Sequence, residues 1–165
     1  MDGSTSAIPL EAGIKARLSG QRYFEGLQNV SHNKTHVAFQ NLLSGETDLI
    51  FSVPISEDQQ KAADEAGVHL NMIPVAKEAF VFIVNKDNPV STLTQQQIRD
   101  IYSGKITNWS EVGGNDEKII PYQRNKDSGS QNYMDEFMDG YDLMDAPSSI
   151  KLGEMSAVME RIATY

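Results

Sequence analysis

Helix-start signals alternate along the chain with short apolar runs, and this alternation restricts the fold more than any other feature. Capping boxes begin at Ser56 and at Thr94, each with a glutamine three residues later. The apolar runs at residues 49–51 and 80–84 have the length of buried strands. Strands that alternate with helices predict an α/β fold.

The same signals place the individual elements. The predicted helices cover residues 4–18, 34–43, 57–66, 95–102, 128–138 and 154–163, and the predicted strands cover residues 48–53, 70–75, 79–84 and 119–123. Residues 20–31 are polar and give no clear signal. A boundary near the second long apolar run divides the chain into a first lobe, residues 1–78, and a second lobe, residues 79–165.

The two ends of the predicted fold look cut. The first predicted helix has no strand before it, and the last has none after it, as if partner strands lay outside the sequence. An exposed sheet edge invites pairing, so a dimer or an exchange of strands is the expected consequence. No signal peptide is visible at the start, where Met1 is followed directly by Asp2 and Gly3.

Charge and composition exclude several function classes. The formal net charge of −9, with lysines and arginines scattered singly, argues against a nucleic-acid partner. The chain has no cysteines, which excludes disulfides and cysteine-ligated metals, and it has no apolar run long enough to span a membrane. An anion bound by so acidic a protein has to be held by local donors.

Two loops offer such donors. Gly3 and Ser4-Thr5-Ser6 open one predicted helix, Ser128-Gly129-Ser130 open another, and Arg124 lies shortly before the second loop. Free backbone N–H groups and the positive end of the helix dipole meet at a helix N-terminus, glycine allows a close approach, and hydroxyls add donors. The alternative is that these residues are ordinary helix caps, which use the same side chains.

Metal and catalytic interpretations have weaker support. His32 and His36 are four residues apart, but no third ligand is indicated, and we expect neither a metal nor another cofactor. The serine loop, residues 126–130, lacks the first glycine of a nucleophile elbow. The chain also has no P-loop or GxGxxG motif, so an enzyme is not expected. Tyr102 and Trp109 fit either a sugar platform or, more readily, an anchor for the end of a helix.

Several motifs together resemble the phosphate-binding subunit of bacterial phosphate ABC transporters. The string Tyr-Ser-Gly-Lys-Ile-Thr-Asn-Trp at residues 102–109 is long and specific. Asn-Pro-Val at residues 88–90, Arg124, the serine loop and the start at residues 2–6 fit the same family, and the match covers nearly the whole chain.

The resemblance implies a type II periplasmic-binding-protein fold, with two α/β lobes that close on a ligand. It implies an extracytoplasmic solute-binding protein, in the periplasm or lipid-anchored at the cell surface, that captures inorganic phosphate for an ABC transporter permease. The residues that it implies for the phosphate site are Ser4, Thr5, Ser6, Thr35, Ser52, Arg124, Ser128, Gly129 and Ser130.

Three alternatives stay open beside this interpretation. Family members that select phosphate often carry an acidic or polar residue after the serine that corresponds to Ser52, and Val53 stands there instead, so sulfate or another oxyanion is an alternative ligand. The same fold would also serve as an anion sensor or as an adhesion or partner-binding module. A serine-dependent hydrolase is the least favoured alternative.

Overall fold

A computed structural model describes residues 1–146, 151–153 and 155–164. The chain folds into two compact units, Met1–Lys77 with Asp127–Tyr133, and Glu78–Lys126 with Met134–Tyr165. The lobe boundary after residue 78 stays a prediction. The units differ from it in two places, because Glu78 groups with the second unit and residues 127–133 group with the first.

Helices and short parallel strands follow one another along the described chain. In chain order the elements are β1 (Asp2–Gly3), a 3₁₀ turn (Thr5–Ala7), α1 (Ile8–Ser19), α2 (Tyr23–Gln28), α3 (Lys34–Leu43), β2 (Ile50–Phe51), α4 (Glu57–Glu65), α5 (Gln95–Tyr102), a second 3₁₀ turn (Trp109–Val112), β3 (Gln123–Arg124), α6 (Gly129–Phe137), β4 (Lys151–Leu152) and α7 (Met155–Thr164). The α/β class is as the sequence predicts.

The two predicted capping boxes are confirmed. Ser56 Oγ accepts from Gln59 N at 3.2 Å, and Ser56 N donates to Gln59 Oε1 at 2.9 Å. The same pair of bonds joins Thr94 and Gln97, also at 3.2 and 2.9 Å. Each box satisfies backbone donors that the first turn of a helix leaves open, which fixes the start of α4 and of α5.

The start of the chain corrects the predicted first helix. Asp2 and Gly3 form β1, which pairs in parallel with Ile50 and Phe51 of β2, and α1 begins only at Ile8. A strand forms here instead of a helix because the backbone donors find partners next to β2. Asp2 N donates to Leu49 O at 3.1 Å, and Ser4 N donates to Phe51 O at 2.8 Å. The expectation that no strand precedes the first helix is therefore wrong.

The strands predicted at residues 70–75 and 79–84 are also wrong. Among the described residues these runs pair with no neighbouring strand, and Ile73 and Val81 are 70% and 66% exposed. A strand exists only where its N–H and C=O groups join a ladder, and an apolar composition alone does not supply one. For the same reason the strand predicted at residues 119–123 is reduced to β3, Gln123–Arg124, which pairs with Lys151–Leu152, and the strand predicted at residues 48–53 is reduced to β2, Ile50–Phe51.

A further helix and a further strand had no prediction. The helix α2 occupies part of residues 20–31, and at its start Arg22 N donates to Glu25 Oε2 at 2.8 Å. The strand β4 pairs in parallel with β3. The final helix begins at Met155, close to the prediction; Glu154, its predicted first residue, lies outside the described residues.

The second unit has a core around Trp109. This side chain is 9% exposed and packs with Val90, Ile101 and Ile119, while Tyr102 lies against the same cluster. The Tyr102 hydroxyl donates to Tyr122 O at 3.2 Å, and burial raises the pKa of Tyr102 to about 12. Both aromatic residues thus anchor the end of α5, as the second of the two interpretations proposed.

Gly3→Ala should destabilise the first unit, because a Cβ at position 3 would lie 2.5 Å from Phe51 O in the paired strand. We expect a loss of about 1–3 kcal/mol in the free energy of unfolding, as for other overpacked sites. The matched control is Gly13→Ala in α1, where a Cβ meets nothing within 4 Å. That change should raise stability by about 0.5–1 kcal/mol. Denaturant unfolding of the two variants measures the difference, and equal stabilities would contradict the prediction.

Candidate anion-binding site

The hydroxyl residues Ser4, Thr5, Ser6 and Ser52 follow the carboxyl ends of two paired strands. The first three come directly after β1, and Ser52 comes directly after β2. Ser4 is 6% exposed, and its Oγ lies 2.9 Å from Ser6 Oγ rather than capping the 3₁₀ turn. Ligands of open α/β sheets bind beside such strand ends, so these hydroxyls stand at the expected edge.

The start of α6 packs closely on Thr35 in α3. A Cβ at Gly129 would lie 3.2 Å from Thr35 Oγ1 and 3.3 Å from Val53 Cγ2, so only a glycine fits at this distance without displacement. Thr35 is 5% exposed and Val53 9%. Val53 therefore serves as an apolar floor under the Gly129 backbone.

The two hydroxyls around Gly129 differ in their surroundings. Ser128 is buried, and its Oγ accepts from Gln131 N at 3.3 Å, which is the cap interaction of the simpler alternative. Ser130 is half-buried, in the first turn of α6. Capping leaves the Ser128 hydroxyl proton free to donate, so the two roles are compatible.

Strained backbone lies directly before two of these residues. In the described chain, the non-glycine residues with positive φ are Lys34, at 66°, and Asp127, at 61°. Lys34 precedes Thr35 and Asp127 precedes Ser128. Left-handed backbone costs a residue with a Cβ about 1–2 kcal/mol, so both turns need support from their neighbours.

The Asp127 turn is supported by its own carboxylate. Oδ1 accepts from Ser56 Oγ at 3.3 Å, and Oδ2 lies 3.5 Å from His36 Nδ1. Ser56 caps α4 and His36 lies in the first turn of α3. The carboxylate therefore joins the starts of two helices to the loop that carries Ser128.

The Asp2 carboxylate supports the other turn. Oδ1 accepts from Gly3 N and Asn33 N, both at 2.8 Å, and Oδ2 accepts from Asn33 Nδ2 at 2.8 Å and Asn41 Nδ2 at 2.9 Å. Asp2 is 4% exposed. Burial alone would raise the pKa of this carboxyl, but the hydrogen bonds from Asn33, Gly3 and Asn41 outweigh it, so its pKa lies below the ordinary value.

Arg124 belongs to the second unit, whereas every other predicted site residue belongs to the first. Its Nε donates to Leu152 O at 2.9 Å and its Nη2 to Gly153 O at 3.0 Å. These bonds hold the guanidinium along β4. The sequence predicts Ser128, Gly129 and Ser130 in the lobe of Arg124, and the structure groups them with Thr35 instead.

The sequence did not single out Asp2, Asn33 or Asp127 as parts of the site. Asp2 and its amide partners are 31 and 39 residues apart, and Asp127 and Ser56 are 71 apart. No local pattern signals contacts at such separations. The one available signal was the Asp-Gly-Ser-Thr-Ser start itself, which placed a carboxylate beside the hydroxyls.

Other kinds of site have little support among the described residues. No group of three or more histidine and acidic side chains there is placed to hold a metal ion, and His36 faces Asp127. No helix in the described part of the chain is long and apolar enough to cross a bilayer.

A family model described as the PBP superfamily domain matches residues 14–162. Among curated proteins, the phosphate-binding protein PstS of Staphylococcus epidermidis is 34% identical over 114 residues, which are 66% of this chain and 35% of the relative. Protein SphX of Synechococcus elongatus is 27% identical over 142 residues, which are 82% of this chain and 42% of the relative. The chain thus spans less than half the length of either relative.

Two solved structures share the fold. One is described as a phosphate ABC transporter substrate-binding protein from Clostridium perfringens with bound phosphate. Its TM-score is 0.70 at 24% identity, and the match covers 98% of this chain and 64% of the solved chain. The other, an ABC-type phosphate transport receptor from Vibrio cholerae, has a TM-score of 0.55 at 23% identity, over 98% and 65%. The predicted periplasmic-binding-protein-like fold is confirmed.

Acid should weaken the fold through Asp2. Its pKa is lower in the folded chain than in the unfolded chain, so its contribution to stability is complete above the ordinary carboxyl pKa of about 4 and disappears as the pH falls through the lower folded value. Asp2→Asn keeps the shape without the charge. At pH 7 we expect it to lower the free energy of unfolding by about 1–3 kcal/mol, a deficit that shrinks below pH ~4. Denaturant unfolding across pH tests this, and a constant deficit would contradict it.

Proposed function

The chain belongs to the PBP superfamily, and from that premise we infer that it is an extracytoplasmic solute-binding protein that captures inorganic phosphate, or a related oxyanion, for an ABC importer. Its ligand residues are Ser4, Thr5, Ser6, Thr35, Ser52, Arg124, Ser128, Gly129 and Ser130. Its further partner is the importer's permease, and it works in the periplasm or lipid-anchored at the cell surface.

The close approach of Gly129 to Thr35 is the observation that carries the proposal. A Cβ at Gly129 would lie 3.2 Å from Thr35 Oγ1, which shows that the first turns of α3 and α6 are in close contact. Both turns offer backbone N–H groups, and Thr35, Ser128 and Ser130 add hydroxyl donors. Neutral donors of this kind suit a small oxyanion in an acidic protein.

The named relatives support the same ligand class. Those described as phosphate-binding or as phosphate transport receptors include curated proteins and a structure with bound phosphate. This chain spans only part of each of them, so we propose, by this likeness, that it binds the same ligand.

Val53 bears on the choice between phosphate and sulfate. Monohydrogen phosphate carries a proton that needs an acceptor, and the side chain of Val53 offers none. Sites that pair a ligand hydroxyl reject analogues without it by about 10⁴-fold or more. We therefore propose a weaker discrimination here.

Isothermal titration with inorganic phosphate and with sulfate tests the ligand class. We expect heat of binding with both anions, and a ratio of dissociation constants well below ~10⁴. Chloride at the same ionic strength is the control for unspecific anion effects. No heat and no thermal shift with either oxyanion would refute the proposal, and turnover of a generic ester that Ser128→Ala abolishes would favour the hydrolase alternative.

Thr35→Val should weaken phosphate binding while preserving the packing around Gly129, because valine replaces only the hydroxyl by a methyl group. Loss of one hydrogen bond to a charged group costs about 1.5–3 kcal/mol, which is roughly a 10- to 100-fold rise in Kd. The matched control is Thr92→Val, an exposed threonine of the second unit. Equal phosphate affinities of the two folded variants would remove Thr35 from the site.

A further inference from the structure

The turn before Thr35 is held in a conformation that its sequence disfavours. Lys34 has φ of 66°, a region in which the Cβ crowds the following carbonyl. Lys34 is also the first residue of α3, so this φ sets where the first turn of the helix starts. The direction of Thr35 therefore depends on whatever keeps Lys34 left-handed.

Asn33, the residue before that turn, is fixed at two points by Asp2. Its backbone N–H donates to Asp2 Oδ1 and its Nδ2 donates to Asp2 Oδ2, each at 2.8 Å. Asn33 occupies the N-cap position of α3, yet its side chain makes no cap bond to the helix. Its amide is committed to Asp2 instead, which leaves the first-turn N–H groups of α3 uncapped by this residue.

The same carboxylate has a second connection to α3 that does not involve the turn. Asn41 Nδ2, two helical turns farther along, donates to Asp2 Oδ2 at 2.9 Å. Asp2 itself lies in β1, two residues before Ser4. One buried side chain thus connects the strand that leads into Ser4 with both the start and the body of α3.

The geometry points to Asp2 as a positioning residue of the phosphate site, which acts through Asn33 to hold the left-handed Lys34 turn and thereby the Thr35 hydroxyl. This assignment rests on the proposed function and adds a residue that does not touch the ligand. The Asn33 connection governs affinity, whereas the Asn41 connection contributes to stability alone.

Asp2→Ala tests the assignment by titration with inorganic phosphate. Without the carboxylate, the left-handed turn that positions the Thr35 hydroxyl becomes a minor conformation. The apparent Kd for phosphate then rises by the inverse of the population of that conformation, roughly tenfold. Asn41→Ala is the matched control, because it removes one bond to the same carboxylate and leaves the Asn33 bonds in place. It should lower Tm and leave the Kd for phosphate unchanged. Asp2→Asn, which keeps the side-chain shape, replaces Asp2→Ala if the latter does not fold.

A rescue at position 34 separates positioning from general stability. Glycine adopts positive φ readily and alanine does not. In the Asp2→Ala or Asp2→Asn background, Lys34→Gly should therefore restore several-fold of the lost phosphate affinity, while Lys34→Ala should restore none. A purely structural role of Asp2 predicts no difference between glycine and alanine.

The outcomes distinguish this inference from the proposed function. Folded Asp2 variants that bind phosphate as tightly as the unchanged chain would overturn it, as would an equal loss of affinity in Asn41→Ala. If the unchanged chain binds neither phosphate nor sulfate, the proposed function fails, and amide hydrogen exchange in the ligand-free protein decides the inference. Faster exchange at residues 33–36 in the Asp2 variants, but not in Asn41→Ala, supports the positioning role, and unchanged exchange overturns it.

Discussion

Burial of the Asp2 charge is the constraint on which the first unit depends. An ionised carboxylate inside a protein costs several kcal/mol unless donors replace its water. Asp2 is 4% exposed and takes those donors from Gly3, Asn33 and Asn41, which belong to β1, to the start of α3 and to its body. The charge is therefore tolerated only when strand and helix are docked, which couples the position of Ser4 to that of Thr35.

The second unit places a charge on aromatic rings instead. The Arg99 guanidinium lies 4.7 Å from the centroid of the Phe137 ring and 4.9 Å from that of Tyr141, and its Nε donates to Phe137 O at 3.1 Å. Phe82 continues this aromatic cluster to Tyr102, with ring centroids 5.7 Å apart. Cation–π contacts and burial of ring surface thus join α5 to the end of α6, in a unit whose strands β3 and β4 pair over only two residues each.

Local rules explain what the sequence could predict. The boxes at Ser56 and Thr94 need only four consecutive residues, and both appear as predicted. Strands need partners elsewhere in the chain, so apolar runs such as residues 79–84 suggest a sheet that the described structure does not give them. The hydroxyl loops are likewise visible as local motifs, whereas the contact of Gly129 with Thr35 depends on a fold that no local pattern specifies.

The acidity of the chain explains why positioning would matter at the proposed anion site. With a net charge of −9, the long-range field repels an anion, so affinity has to come from short-range donors. Such donors favour a ligand most when they are fixed before it arrives, because binding then costs little ordering. The left-handed turns at Lys34 and Asp127 lie directly before candidate donors, and each is held by a hydrogen-bonded carboxylate. Carboxylates beside the proposed anion site are therefore consistent with anion binding: neighbouring donors compensate their negative charge, and in this proposal they fix the geometry of Thr35 and Ser128.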